Sequence, residues 1–240
     1  MWQNINLEKC FAYVNCQLTS KGSRGPPVKP AITISRMCGS GGRTVASKLV
    51  EYLMEYTPIE CHWTVFDRKL IERVLEDHHL SKRIADFLPE NHKSALSDTL
   101  EDLLDLHPPI SIIVKQTAET IWNLAEMGYV ILVGRGANVI TQRLPNVFHV
   151  RLVGSLERRI ERVQDVYELS RPDARKFISR QETGKRRYLK EHFGKDIDDP
   201  LLYHLVINTD PISYEDTARL IVNAVIKRFQ LEPRGKTMAA

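Results

Sequence analysis

The chain of 240 residues carries 34 Lys and Arg against 30 Asp and Glu, with 42% hydrophobic and 27% charged residues. That length supports one large domain with a sizeable core, and the composition is that of an ordinary globular protein rather than a disordered or fibrous one. A net charge of +4 admits an anionic ligand without demanding nucleic acid, and no apolar run approaches the roughly 18 residues of a membrane span. A cytoplasmic location is expected. Cys10, Cys16, Cys38 and Cys61 show no C-x-x-C or zinc-type spacing and read as free thiols in a reducing compartment.

Ile5, Leu7, Cys10, Phe11, Val14 and Leu18 fall near one helical face, so residues 5–18 predict a short helix packing on the main domain or on a second subunit. The polar, Gly/Pro-rich stretch 19–27 is a linker, which makes 1–29 a helix-and-linker segment ahead of a domain over 30–230. Ile32-Thr33-Ile34-Ser35 reads as a strand, Gly39-Ser40-Gly41-Gly42 as a turn, and Val45, Leu49, Val50 and Leu53 as the buried face of a helix. Trp63-Thr64-Val65-Phe66 is a second strand, ending at Asp67. The charged, helical run over 68–106 is too long for a simple crossover and predicts a helical insertion over about 68–108.

After Pro108-Pro109, residues 112–127 predict a long helix stopped by Gly128. Tyr129-Val130-Ile131-Leu132-Val133 is nearly all apolar, as a strand buried on both faces of a parallel sheet should be. It ends in Gly134-Arg135-Gly136, and a brief helix precedes Pro145. The segment 147–153 is a further strand. Ser155 can cap a helix over 156–163, on which Arg158, Arg159 and Arg162 are bunched. Residues 172–193 predict one or two highly charged helices carrying Arg180, Lys185, Arg186 and Arg187. A last strand over 203–208, a helix over 214–229 and a disordered tail over 231–240 complete the chain.

Short apolar strands alternating with helices predict a three-layer α/β fold with a central parallel sheet, in which ligands bind at the carboxyl ends of the strands. The candidate groups stand there. Glycines before a helix start let backbone N–H groups and the positive helix end converge on an anion, although Gly42 occupies the lysine position of G-x-x-x-x-G-K-[ST] and Arg43 follows it. Arg135 could grip a phosphate through two parallel hydrogen bonds. Arg158, Arg162, Arg180 and Arg187 could neutralise a transferring group, or could form a solvated helix face. Asp67 could orient a substrate, help hold Mg²⁺ through water, or cap the following helix. The histidines show no metal-ligand pattern, so no metal-binding residue is assigned.

With these residues in view, the chain resembles the cytidylate kinase-like family of P-loop proteins from about residue 31 to 227. The likeness is carried by Ile34-Ser35-Arg36 through Gly39-Ser40-Gly41-Gly42-Arg43, by Asp67, by Val133-Gly134-Arg135-Gly136, and by Phe193-Gly194-Lys195-Asp196 with Tyr203 and Asn208-Thr209. Over the family's G-P-S-G-S-G-K-G-T loop this chain puts Arg36 for the first glycine and Gly42 for the lysine. Its G-R-D element becomes Gly134-Arg135-Gly136, and its R-D-x-x-D-x-x-R element keeps Arg180 and Arg187 but has Gln181 and Gly184 for the aspartates.

The resemblance implies a P-loop fold with an arginine-bearing helical lid over about 158–195. It also implies a nucleoside monophosphate kinase-like transfer from ATP, with Mg²⁺, to CMP, dCMP or a related small nucleotide. Gly39, Ser40, Gly41, Gly42, Arg43 and Thr44 would then hold the donor phosphates and Arg36, Asp67 and Arg135 the acceptor, with Arg43, Arg158, Arg162, Arg180 and Arg187 as catalytic cations. The other readings are a nucleotide- or phosphate-binding protein without kinase activity, and a kinase for another small metabolite. The expected partner is a nucleotide substrate, with no nucleic acid or membrane; a homodimer through the N-terminal helix is also envisaged.

Overall fold

The computed structural model describes residues 2–19, 28–56, 62–76, 82–84 and 112–232. The linker, most of the insertion expected over 68–108 and nearly all of the expected tail lie outside them. Five strands, β1 (Ala31–Arg36), β2 (Thr64–Asp67), β3 (Val130–Val133), β4 (Val147–Val153) and β5 (Leu205–Asn208), form one sheet in the order β2-β3-β1-β4-β5. Every pairing is parallel. All four residues of β3 are buried, as the apolar run requires, and each such side chain removed from water is worth roughly 2 kcal/mol.

Two groups of helices cover the sheet. One pairs α2 (Gly42–Leu53) with the C-terminal helix, Tyr214–Phe229. The other joins α4 (Ile112–Met127) with α5 (Ala137–Ile140) and α3 (Arg68–Glu76). The predicted stop at Gly128 is present, its φ of 75° ending α4. The N-terminal helix α1 (Trp2–Thr19) buries Cys10, Tyr13, Val14 and Gln17, a helical i, i+3, i+4, i+7 set, and Tyr13 donates to the Gly128 carbonyl at 2.5 Å. Its buried face therefore packs on the domain of its own chain. Cys10 and Cys38 are free thiols, but Cys16 stands in a disulfide, which corrects the reading of four free thiols. No helix among the described residues is long and apolar enough to cross a membrane.

Between β4 and β5 the chain forms a helical hairpin, α6 (Leu156–Tyr167) and α7 (Arg171–Phe193); the C-terminal helix is α8. Ser155 and Ser170 cap the two N-termini through their side chains, each such cap contributing about 1 kcal/mol. Residues 171–193 make one continuous helix. The hairpin has a small core of its own, Ile160, Val163, Ala174 and Ile178, and Cys38 of the glycine-rich loop packs against it. The lid-like hairpin thus rests on the loop that follows β1. Because all strands run parallel, that loop, Asp67, the turn at 134–136 and the segments after β4 and β5 share one edge of the sheet.

Candidate active site

β1 delivers the chain into a tight loop that opens α2. Ser40 Oγ donates to the carbonyls of Met37 at 2.8 Å and Leu152 at 3.3 Å, tying the loop to β4. Gly39 and Gly41 have φ of 87° and 80°, and neither could carry a side chain. A Cβ at Gly39 would lie 2.6 Å from the Arg159 carbonyl, and one at Gly41 2.2 Å from the Tyr214 ring. The amides of Gly39, Gly41, Gly42, Arg43 and Thr44 meet no acceptor among the described residues. Convergent free N–H groups at a helix start make an anion cradle.

Position 42 has no lysine because its space is taken. A Cβ there would sit 2.8 Å from Cγ of Arg36, whose stem lies over Gly42 and whose guanidinium reaches Gly134. The two departures from the ordinary loop, Arg36 and Gly42, are therefore one coupled change. The Arg36 side chain makes no hydrogen bond or ion pair with a described residue, and burial, then the charge of Arg43, holds its pKa below the usual arginine value. The carboxylates of Asp67 and Glu182 act on it only through space, so a half-buried guanidinium with all its donors uncommitted faces the loop and the turn at Gly134.

The other predicted cations take different positions. Arg43, 67% exposed, turns away from the loop to pair with Asp67 at 2.9 Å, while the second Asp67 oxygen accepts from Leu70 N–H at 3.1 Å and so caps α3. Arg162 donates to the Thr44 hydroxyl at 3.0 Å and lies over the Tyr214 ring. Arg158 faces outward, paired with Glu161 at 3.3 Å. The structure thus brings Arg162 and Arg36 to the loop and Arg43 to Asp67, and leaves Arg158 on the outer face of the hairpin.

Beside the loop lies a cavity of about 370 Å³, within the range of small-ligand sites. Ser35, Arg36, Arg135, Arg180, Arg187 and Tyr188 are among its lining residues. Gly134, Arg135 and Gly136 are all left-handed, with φ of 88°, 56° and 70°. For arginine that is an uncommon backbone state, held here by the turn, and it is the kind of strain that clusters at ligand sites. Arg135 pairs with Glu72 and lies 5.8 Å over the Tyr188 ring. Arg180 and Arg187 are exposed on the cavity side of α7.

Four residues to which sequence reading assigned no role in the site complete it. Lys185 Nζ donates to the Arg36 carbonyl at 3.1 Å and to Glu182 Oε1 at 3.0 Å, and that same oxygen accepts from Cys38 N–H at 2.6 Å. Arg159 donates to the carbonyls of Gly154 and Cys38 at 3.0 and 3.4 Å. Arg151, almost wholly buried in β4, donates to Ser35 Oγ at 2.8 Å and to Asp198 at 2.9 Å, under the Tyr203 ring. One signal for the first pair was in the sequence. Ile178, Glu182, Lys185 and Leu189 follow helical spacing, so the two charges share the inward stripe of α7.

None of the curated proteins matches the chain significantly. Among solved structures, an uncharacterized protein from Eubacterium ventriosum superposes with TM-score 0.65 at 18% identity, covering 83% of this chain and 99% of that one. A shikimate kinase from Bacteroides thetaiotaomicron gives TM-score 0.44 at 11% identity, with coverages of 84% and 99%. One from Acinetobacter baumannii in complex with shikimate gives 0.39 at 16%, with coverages of 88% and 97%. The fold is that of the P-loop kinases, which generally use ATP and Mg²⁺. Residues 31–211 match the cytidylate kinase-like family model, and the chain belongs to that family.

Proposed function

We propose that this member of the cytidylate kinase-like family transfers the γ-phosphoryl group of ATP to CMP, dCMP or a related small nucleotide. The observation that carries the reading is Arg36, a half-buried cation with no hydrogen bond or ion pair to a described residue, which lies over the glycine loop and also lines the neighbouring cavity. A cation between an anion cradle and a small-molecule cavity is where a phosphoryl group would pass from donor to acceptor. An acceptor phosphate oxygen forms a bond to the γ-phosphorus. The bond from that phosphorus to the β–γ bridging oxygen breaks, and its electron pair leaves with ADP.

On this reading Gly39, Ser40, Gly41, Gly42, Arg43 and Thr44 hold the donor phosphates, through every amide but that of Ser40, and Arg36, Asp67 and Arg135 orient the acceptor. Arg162 stands nearest the loop among the predicted lid arginines, and Arg180 and Arg187 face the acceptor cavity. Arg43 and Arg158 are the outer cations, Arg43 reaching Asp67. The donor set fits Mg²⁺, which keeps waters and substrate phosphates as most of its ligands and needs few protein oxygens. The Thr44 hydroxyl at the start of α2 would hold it, with Asp67, whose oxygens serve Arg43 and Leu70 N–H, reaching it only through water. When bound it neutralises phosphate charge.

A coupled ADP-release assay with CMP, dCMP, UMP and a panel of phosphorylatable metabolites tests the reading. The expected result is acceptor-dependent ADP release with the cytidine nucleotides. ATP binding by calorimetry with no acceptor turned over would replace it with a nucleotide-binding protein, and turnover of a non-nucleotide alone with a different small-molecule kinase.

A further inference from the structure

Glu182 shows where an anion belongs on this loop. Its Oε1 lies 2.6 Å from the Cys38 amide and 3.0 Å from Lys185 Nζ, so one anionic oxygen is held by the loop backbone and by a lid cation together. Lys185 is fixed further by the Arg36 carbonyl at 3.1 Å, at the mouth of the loop. Its side chain is only 22% exposed and that of Glu182 only 13%. A solvated helix-surface pair would not be buried this way or bridge to a loop about 144 residues away in sequence.

We propose that Lys185 is the phosphate-binding cation of this loop, taking the part of the lysine absent from position 42, and that Glu182 occupies the anion position until a donor phosphate displaces it. The inference rests on the phosphoryl-transfer reading above and deepens it. A phosphate oxygen that replaces the Glu182 oxygen on Cys38 N–H comes within hydrogen-bond reach of Nζ without movement of the lysine. As the β–γ bond breaks, the charge left on the bridging oxygen is met by that ammonium. The lysine has moved from the helix start to the lid, so binding the donor and seating the lid become one event.

The charged and titratable groups facing Lys185 are Glu182 on its own helix and, from the loop, Arg36 and the Cys38 thiol. Burial, then the Arg36 charge, pulls its pKa below the ordinary lysine value, while Glu182 opposes the shift. A lysine so shifted loses its charge earlier as pH rises, so kcat/KM for ATP falls on the alkaline side below the pH of an ordinary lysine.

Lys185→Gln and Lys185→Arg separate charge from packing. Glutamine keeps a hydrogen-bond donor without charge; arginine keeps the charge in a different shape. Calorimetry with ATP is expected to show at least tenfold weaker binding for Lys185→Gln and a loss within about threefold for Lys185→Arg, with both folded by circular dichroism and Lys185→Gln lower in Tm because Glu182 loses its cation. In turnover, Lys185→Gln should lower kcat/KM for ATP roughly 100-fold, and Lys185→Arg should move the alkaline limb upward. Lys185→Gln that binds ATP as the parent does overturns the inference and leaves the kinase reading standing. So does Lys185→Arg that loses as much as Lys185→Gln. A parent protein that binds ATP but turns over no acceptor breaks the kinase reading instead, and the calorimetry alone then decides the role of Lys185.

Discussion

Two arginines stand one step apart in the sheet register, a buried one in β4 and a half-buried one at the end of β1, where Ser35 of β1 faces Arg151 and Arg36 faces Leu152. Arg151 is fully provided for. It has a hydroxyl at 2.8 Å, a carboxylate at 2.9 Å and the Tyr203 ring beneath it, and Asp198 is shared with Arg186. Arg36 has a depressed pKa and no such partner among the described residues. Burial of a charge is tolerated when the fold supplies its counter-charge. Where the fold withholds it, the counter-charge has to arrive with a ligand. The contrast separates a cation that belongs to the scaffold from one that belongs to the reaction.

Replacing Arg36 tests that contrast most directly. Arg36→Met keeps the length of the stem over Gly42 and removes the charge. It is expected to lower kcat/KM by roughly 100- to 1000-fold, about 3–4 kcal/mol of transition-state stabilisation, in the ADP-release assay. Stability should be little changed, since the deleted guanidinium is partly desolvated and makes no hydrogen bond or ion pair with a described residue. A variant that unfolds readily and retains its activity would place Arg36 with the scaffold and erase the distinction.

The opposite pattern is expected at Asp198. Asp198→Ala strands the Arg151 guanidinium, and denaturant unfolding should show a loss of about 3 kcal/mol, the lower end for a broken buried pair because the carboxylate is itself partly exposed. Below the unfolding midpoint the folded enzyme should keep most of its kcat, because Arg151 touches Ser35 and the segment after α7 rather than the loop amides. Activity lost while stability is kept would show that Arg151 acts through Ser35 on the site.

Much of this arrangement could be read in the sequence, and the reasons for the gaps differ. The strands were legible because a parallel sheet covered on both faces needs continuous apolar runs, and Val130 to Val133 has nothing else to do. The helix over 112–127 was legible from its period and its glycine stop. The glycine loop was legible as a cradle, but the reason for Gly42 was not, since it lies in the path of the Arg36 side chain rather than in local propensity. Arg151 reads as a polar interruption in a strand until Asp198 is folded against it. Glu182 and Lys185 look like one more surface pair on a charged helix; only the hairpin's seat on the loop turns them inward. Local pattern fixes elements, whereas charge pairing across more than a hundred residues is set by topology.

Exposure and partners sort the remaining arginines, and they yield the smallest effect. On α6 the buried Ile160 and Val163 point the inner side, and Arg159 and Arg162, three residues apart, flank it to reach the loop and Thr44. Arg158 is one turn before Arg162 on nearly the same side of the helix, about 40° away, but its head group goes to Glu161 instead of to the loop. Its side chain is 69% exposed and its one ion pair, with Glu161, is a surface contact of the kind worth at most a few tenths of a kcal/mol. Arg158→Ala should therefore change kcat/KM by less than about twofold under conditions where Arg162→Ala, which removes the contact to Thr44, is plainly impaired. Equal losses at the two positions would mean that Arg158 leaves Glu161 and swings toward the loop during the reaction, and that pairing in the resting structure does not tell scaffold cations from reacting ones.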